Sequence, residues 1–216
     1  MLREANDIIH RALTWAQSVE ADGDRWFCWI HVLEPHSPYA PPPELEAKYL
    51  PEGVTNVHPR LRKECMGVES FDYSASDVAI LRALYRAEVE ATDQAMGPLF
   101  DWVEAHGAGG ERDAFGDVWM VFTADHGEML YEHHDYVGHT AWLFEPMLRI
   151  PMIVRATADG PAAGRRDTRP ASLIDVLPTV AARLDLADSI GEREGGDLFD
   201  DRSDRRLLVH ETFAPE

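Results

Sequence analysis

Three short runs dominate what this chain can fold into: Trp26-Phe27-Cys28-Trp29-Ile30-His31-Val32-Leu33, Val118-Trp119-Met120-Val121-Phe122-Thr123 and Ile150-Pro151-Met152-Ile153-Val154. Each is rich in aromatic or β-branched residues and too short to read as a helix, so each predicts a strand. The first is almost continuously apolar, which predicts a strand covered on both faces, with His31 a satisfied core histidine. Between the runs the apolar spacing changes to the helical period. Residues 3–20 place Ile8, Ile9, Ala12, Leu13, Ala16 and Val19 on one face. A long helix following Ser76 carries Ile80, Leu84, Ala87, Ala91, Ala95, Leu99 and Val103 on another. Residues 172–184 predict a short helix entered through Asp175 and Pro178, and Leu207-Leu208-Val209-His210 a late strand. Strands alternating with helices predict an α/β fold with a mostly parallel (mixed) sheet flanked by helices.

The punctuation fits that frame. Asp22-Gly23-Asp24 breaks the first helix, and Gly107 with Gly109-Gly110 ends the long one. Gly97-Pro98 predicts a kink or a split within it, because proline lacks the amide donor and clashes with the preceding turn. From Pro35 to about Ser74, prolines at 38, 41, 42, 43, 51 and 59 predict a long irregular excursion. Loops of that length in a compact domain are commonly functional.

In open parallel sheets, ligands bind at the carboxyl ends of the strands. The first run ends in Glu34-Pro35-His36-Ser37-Pro38-Tyr39 and the second in Ala124-Asp125-His126-Gly127-Glu128. Adjacent Asp and His at a strand end can present a carboxylate and an imidazole to one cation, with Gly127 permitting a sharp turn. An Asp-His-Gly alone also suits an ordinary turn, but His139 in Val137-Gly138-His139-Thr140 adds a further imidazole. His36 reads either as a ligand-contacting group or as a cap on a backbone group. His133 and His134 read as a solvated loop, and Asp93 and Asp175 as caps or structural pairs. Glu128 either hydrogen-bonds the loop or sits in solvent, and Glu211 follows the late strand.

Composition sets the partners. With 39 acidic against 20 basic residues the formal net charge is −19, which argues against nucleic acid or an anionic membrane surface. Only Lys48 and Lys63 are lysines among those basic residues. Abundant acid with few lysines points to a protein adapted to high salt, a halophile's, before an acidic protein from a GC-rich genome. No apolar run reaches the ~20 residues of a membrane span. The opening Met1-Leu2-Arg3-Glu4-Ala5-Asn6-Asp7 is no signal peptide, so a cytoplasmic location is expected. Cys28 and Cys65 have no CxxC spacing, and a reduced state is the default.

These motifs, in this order, resemble the sulfatase family of the alkaline-phosphatase superfamily. The resemblance runs from the apolar strand into Pro35-His36-Ser37-Pro38-Tyr39, through the helix with Tyr85 and Asp93, to Phe122-Thr123-Ala124-Asp125-His126-Gly127-Glu128. It continues through Gly138-His139 and Leu148-Arg149-Ile150-Pro151 to Leu173-Ile174-Asp175-Val176-Leu177-Pro178-Thr179. It implies metal-dependent hydrolysis of a sulfuric ester, of a small molecule or a glycan. Asp125 and His126 are implied as ligands of a divalent cation, calcium before manganese or magnesium. His36 is implied to contact the sulfate or bridging oxygen, and His139 to neutralise the ester and assist the leaving group.

The resemblance also implies a formylglycine nucleophile, made from a Cys/Ser-x-Pro/Ala-x-Arg motif. Cys28 is followed by Trp29-Ile30-His31-Val32 and Cys65 by Met66-Gly67-Val68-Glu69, so neither fits. Residues 1–216 therefore read as a partial catalytic domain. The nucleophile segment, with two further metal ligands and a central strand, and a carboxy-terminal subdomain are expected outside them. That leaves open the activity of the chain by itself and points to a missing amino-terminal half or a second copy as its partner. A phosphonate monoester or phosphodiester hydrolase of the same superfamily, and a non-catalytic relic or binding protein, stand as alternatives.

Overall fold

The computed structural model describes residues 4–20, 26–62, 72–107, 118–133, 136–139, 142–155, 164 and 166–200. Cys65, His134, Leu207–His210 and Glu211 lie outside them.

Helix α1 (Ala5–Glu20) forms where the helical spacing predicts it, and buries Ile9 and Ala16. The proline-rich excursion is more ordered than its composition suggests. Helix α2 (Pro43–Tyr49) starts on Pro43 in its first turn, where a missing amide proton costs nothing, and a 3-10 turn covers Pro59–Arg62. Helix α3 (Ala75–Gly107) is the 33-residue spine of the molecule. Its start is a reciprocal box: the Asp77 amide donates to Ser74 Oγ at 3.1 Å, and the Ser74 amide donates to Asp77 Oδ2 at 3.0 Å. The Ser74 hydroxyl, which donates to Asp77 Oδ2 at 2.8 Å, and the Ser74 amide hold the Asp77 carboxyl below its ordinary range. The expected kink does not divide this helix. It is assigned as continuous through Pro98, with Leu99 and Val103 beyond the proline packed against Ile9 of α1. Tertiary packing overrides the local penalty.

Strand β1 (Met120–Thr123) pairs with β4 (Met152–Arg155), and β2 (Met129–Leu130) with β3 (Val137–Gly138); α4 (Glu145–Leu148) lies between β3 and β4. Both pairings are antiparallel, with Met120 opposite Arg155 and Thr123 opposite Met152 in the first. Of the expected mostly parallel (mixed) sheet, the described residues form these two antiparallel pairs and no parallel ladder. The chain leaves β1 at the Asp125 end and re-enters β4 from that same end, which makes the pair antiparallel.

Residues 26–33 are extended but belong to no ladder. Their side chains alternate: Trp26, Ile30 and Val32 pack on the α1–α3 cluster, while Phe27, Trp29, His31 and Leu33 are exposed. His31 is therefore not a core histidine, because this run is covered on one face only. Cys28 is a half-buried free thiol whose pKa burial pushes up.

Two clusters hold the fold. One joins α1, α3 and Val118 through Ile9, Leu99 and Val103. The other surrounds Leu81 and Leu84 of α3, both fully buried, with Tyr39, Leu61, Met129, Tyr136 and Met147. Each such side chain contributes roughly 1.5–3 kcal/mol on burial. Farther along the chain, α5 (Val176–Arg183) follows a 3-10 turn at Leu173–Asp175. Asp175, buried, accepts from the Ser172 and Gly196 amides at 2.8 and 2.9 Å, the structural role expected of it. Asp93 has no such role: it is exposed on α3, without a hydrogen bond or ion pair among the described residues.

Candidate functional site

The second cluster is the floor of the site. The turn after residue 33 is pinned from several sides. Tyr39 donates its amide to the Arg62 carbonyl at 2.7 Å, and Arg62 returns a guanidinium bond to the Tyr39 carbonyl at 3.1 Å. Arg62 is itself fixed by a bidentate pair with Glu46 of α2, at 2.9 and 2.8 Å. From α3, Glu88 accepts the Ala40 amide at 2.5 Å. Glu88 is buried, and desolvation with the nearby Glu34 charge raises its pKa against the opposing pull of that amide and Arg62. The proline-rich turn is thus a braced platform, and it carries His36.

His36 Nδ1–H donates to the Ser37 carbonyl at 2.6 Å, so its other nitrogen, Nε2, carries the lone pair in the neutral ring. The capping reading and the functional reading of His36 coexist. At the end of β1, His126 Nδ1–H donates to the Gly127 carbonyl at 2.8 Å, which leaves Nε2 as the lone-pair nitrogen of the neutral ring. That Nε2 stands 3.7 Å from Asp125 Oδ2, and the Asp125 side chain is 76% exposed. Gly127 is needed here for space and not for a left-handed backbone. A Cβ would run into the Pro146 carbonyl of α4, while the Gly127 amide donates to the Met147 carbonyl at 2.7 Å.

His139, just past β3, brings the two turns together. Its ring lies edge-on to His36 at 5.1 Å and stacks on His126 at 4.0 Å. The structure therefore gathers all four residues singled out from the sequence, His36, Asp125, His126 and His139, at one place. It adds a fifth that sequence reasoning left unassigned. Glu128 is turned inward, its side chain 7% exposed, with Oε1 3.4 Å from His139 Nδ1. Its charge also helps burial to raise the pKa of Tyr85, which α3 supplies and which packs on Tyr39. His133 stacks on Phe144 and takes no part in the cluster.

No group of three or more metal-capable side chains occurs among the described residues. Asp125 and His126 nonetheless suit a divalent cation as two of its ligands. One is an exposed carboxylate and the other an imidazole with its free nitrogen directed by a second-shell hydrogen bond, a pairing common to borderline cations. Among the described residues no helix is long and apolar enough to cross a membrane.

An exposed carboxylate beside an imidazole thus stands next to two further imidazoles. Comparison with known proteins gives the family. The sulfatase family model matches residues 3–186, and the chain belongs to the sulfatase family. It is 25% identical over 195 residues to the multifunctional alkaline phosphatase superfamily protein PehA of Trinickia caryophylli, covering 79% of this chain and 36% of that protein. It is 24% identical over 217 residues to an ulvan-active sulfatase of Formosa agariphila, covering 94% of this chain and 38% of that one. Among solved structures, the phosphonate monoester hydrolase of Silicibacter pomeroyi superposes with a TM-score of 0.61 at 22% identity, over 91% of this chain and 41% of that chain. The chain thus spans less than half the length of these relatives.

Proposed function

We propose that this chain supplies the Asp-His-Gly part of a metal-dependent sulfuric-ester hydrolase, acting on a sulfated small molecule or glycan. One observation carries the reading: His139 bridges His36 and Asp125–His126, so groups suited to a cation and to an oxyanion converge. Asp125 and His126 would hold the cation, calcium by preference with manganese or magnesium as alternatives. A cation held by these two residues would supply Lewis-acid chemistry toward the ester.

The other groups have separate tasks. His36, with Nδ1–H held by the Ser37 carbonyl, would in its charged form donate Nε2–H to an ester oxygen and so orient it. His139 in its charged form holds Nδ1–H against Glu128 and offers Nε2–H to the departing oxygen, which lowers the barrier to bond cleavage. Together they make a local positive pocket in a chain of net charge −19. The formylglycine motif is not found in this sequence, so the nucleophile and further cation ligands would come from outside residues 1–216.

Phosphonate or phosphate esters are a second reading. The similarity to PehA, a protein described as multifunctional, leaves room for it, and imidazoles with a cation do not by themselves distinguish a phosphoryl from a sulfuryl group.

Binding tests the proposal without requiring turnover. Calcium or manganese is expected to raise the melting temperature, and His126→Ala to abolish that rise. With the cation present, sulfate and vanadate are expected to bind with affinities that fall at least about tenfold in His36→Ala and His139→Ala. Tighter vanadate than sulfate binding supports the second reading. No cation effect, or oxyanion binding indifferent to both histidines, rejects both readings.

A further inference from the structure

The hairpin of β2 and β3 presents two residues of the site. Its ladder sets Met129 opposite Gly138 and Leu130 opposite Val137, so the same register carried one step outward sets Glu128 opposite His139. Their 3.4 Å contact agrees. At the other end the Tyr131 amide donates to the Tyr136 carbonyl at 3.0 Å. Hydrogen-bonded and non-hydrogen-bonded rungs alternate along an antiparallel pair. The rung of Leu130 is therefore non-hydrogen-bonded, and so is that of Glu128 and His139, the kind in which facing side chains stand closest. The Leu130 amide and carbonyl point away from β3, to an edge that no second strand covers among the described residues.

Helix α3 covers that edge instead. Arg82 Nε donates to the Leu130 carbonyl at 3.0 Å, and Arg82 Nη2 donates to Glu132 Oε1 at 3.4 Å. The other Glu132 oxygen accepts the Leu130 amide at 2.5 Å. One arginine–carboxylate pair thus does for Leu130 what a neighbouring strand would do. Between Leu130 and Glu132, Tyr131 is held at φ 73°, a left-handed conformation uncommon for a tyrosine. Such backbone persists where its surroundings over-determine it, and here the Tyr73 amide also donates to the Tyr131 hydroxyl at 3.3 Å.

We infer that Arg82 is a positioning residue of the site: by holding Leu130 and Glu132 it sets where the hairpin lies along α3, and so where His139 meets Glu128 and His126. A two-stranded hairpin has little stability of its own, so outside anchors decide its placement. Burial of Met129 and Val137 chooses the inward face, and the Arg82 fork fixes the hairpin along the helix. The Arg82 and Glu132 side chains are 46% and 35% exposed, and so solvated a pair adds little to global stability. Its effect falls on geometry. Arg86, one turn further along α3, is exposed and makes no hydrogen bond or ion pair among the described residues, which makes it the control. The functional consequence rests on the proposed role of His139 toward an oxyanion ester, whereas the placement of the hairpin does not.

The test uses the 216-residue chain with carbon-13 in its histidine rings, and vanadate with calcium as the probe. Proton–carbon spectra read the rings of His139 in the site and of His106 at the far end of α3. In Arg82→Ala the His139 resonances are expected to move and those of His106 to stay. Vanadate affinity is expected to fall about three- to tenfold, with the urea midpoint and the calcium-induced rise in melting temperature near the parent's. Guanidinium, well below denaturing concentrations, is expected to restore both the resonances and the affinity. Methylammonium is expected to restore neither, since a point charge cannot fill the fork. Glu132→Gln, which keeps an acceptor for the Leu130 amide and drops the ion pair, is expected to move the same resonances. Arg86→Ala is expected to move none. Unmoved His139 resonances in both Arg82→Ala and Glu132→Gln overturn the inference, as does an equal change in Arg86→Ala. A lowered urea midpoint with His106 moving alongside His139, and no return with guanidinium, overturns it in favour of a purely structural arginine. Moved resonances with unchanged affinity, in a parent that binds vanadate, overturn it as well. A parent that binds no vanadate rejects the ester reading alone, and the resonances then decide the role of Arg82.

Discussion

The imidazole of His139 stacks on that of His126, with ring centroids 4.0 Å apart and planes 23° from parallel. The contact joins a residue just past β3 to one just past β1, and it sorts the site by role. His126 has its Nδ1 committed to the Gly127 carbonyl, whereas His139 has its Nδ1 beside Glu128. The two rings touch but answer to different second shells, so their substitutions should separate.

His139→Ala is expected to leave most of the cation-induced rise in melting temperature in place while weakening oxyanion binding. His126→Ala is expected to remove both. Glu128→Gln is expected to keep cation binding and lower oxyanion affinity about three- to tenfold, because the inward carboxylate no longer holds His139 by charge. Differential scanning fluorimetry with calcium or manganese and calorimetric titration with sulfate measure the two effects. Equal losses in all three variants would show that the cluster acts as one structural unit.

Gly127 makes a sharper prediction. Any side chain there meets the Pro146 carbonyl, and the Gly127–Met147 hydrogen bond fixes how α4 backs the Asp125–His126 turn. Gly127→Ala is expected to cost about 1–3 kcal/mol of stability, as overpacking against backbone does, and to weaken the cation effect. Urea melts report the first and fluorimetry the second. A variant as stable as the parent would show that α4 yields at little cost.

The excess of 39 acidic over 20 basic residues predicts the response to salt. Raising potassium chloride from about 0.1 M to about 2 M shortens the screening length to a few ångströms and relieves self-repulsion. The melting temperature is expected to rise by several degrees, a change of roughly 1–2 kcal/mol in a domain of this size. A flat or falling response would make the acidity a matter of genome composition and not of solvent.

How far the sequence could be read depended on whether a feature was local. Helical period located α1 and α3, and the motif order placed His36, Asp125, His126 and His139 in one site. Each of those is a local pattern at an element end. What misled was context. Pro43 belongs to a cluster that reads as loop, yet it starts α2, because only its position within the first turn decides whether proline breaks or begins a helix. Pro98 predicts a kink or a split, and of the two the split does not occur, since α3 runs through it. The apolar run at 26–33 predicts a strand covered on both sides, but cover is supplied by neighbours, and the described residues supply it on one side. Strand direction was likewise out of reach, since pairing is set by where the chain re-enters and not by the residues of β1 or β4.

Glu88 gives the pH dependence. Burial and the neighbouring Glu34 raise its carboxyl above the ordinary value of 4.5, outweighing the Ala40 amide and Arg62. The folded chain therefore binds this proton more tightly than the unfolded one. Its contribution to stability is fully present below the unfolded value and is lost as pH rises through the folded one. Glu88→Gln keeps an acceptor for the Ala40 amide and removes the charge. The variant is expected to melt above the parent near pH 7, by about 1 kcal/mol, with the gap closing as pH falls below about 4.5. Melting temperatures of both proteins across that interval measure it. A parent that is the more stable at neutral pH would show that Arg62 and the Ala40 amide hold Glu88 as a favourable anion, and that the platform under His36 depends on its charge.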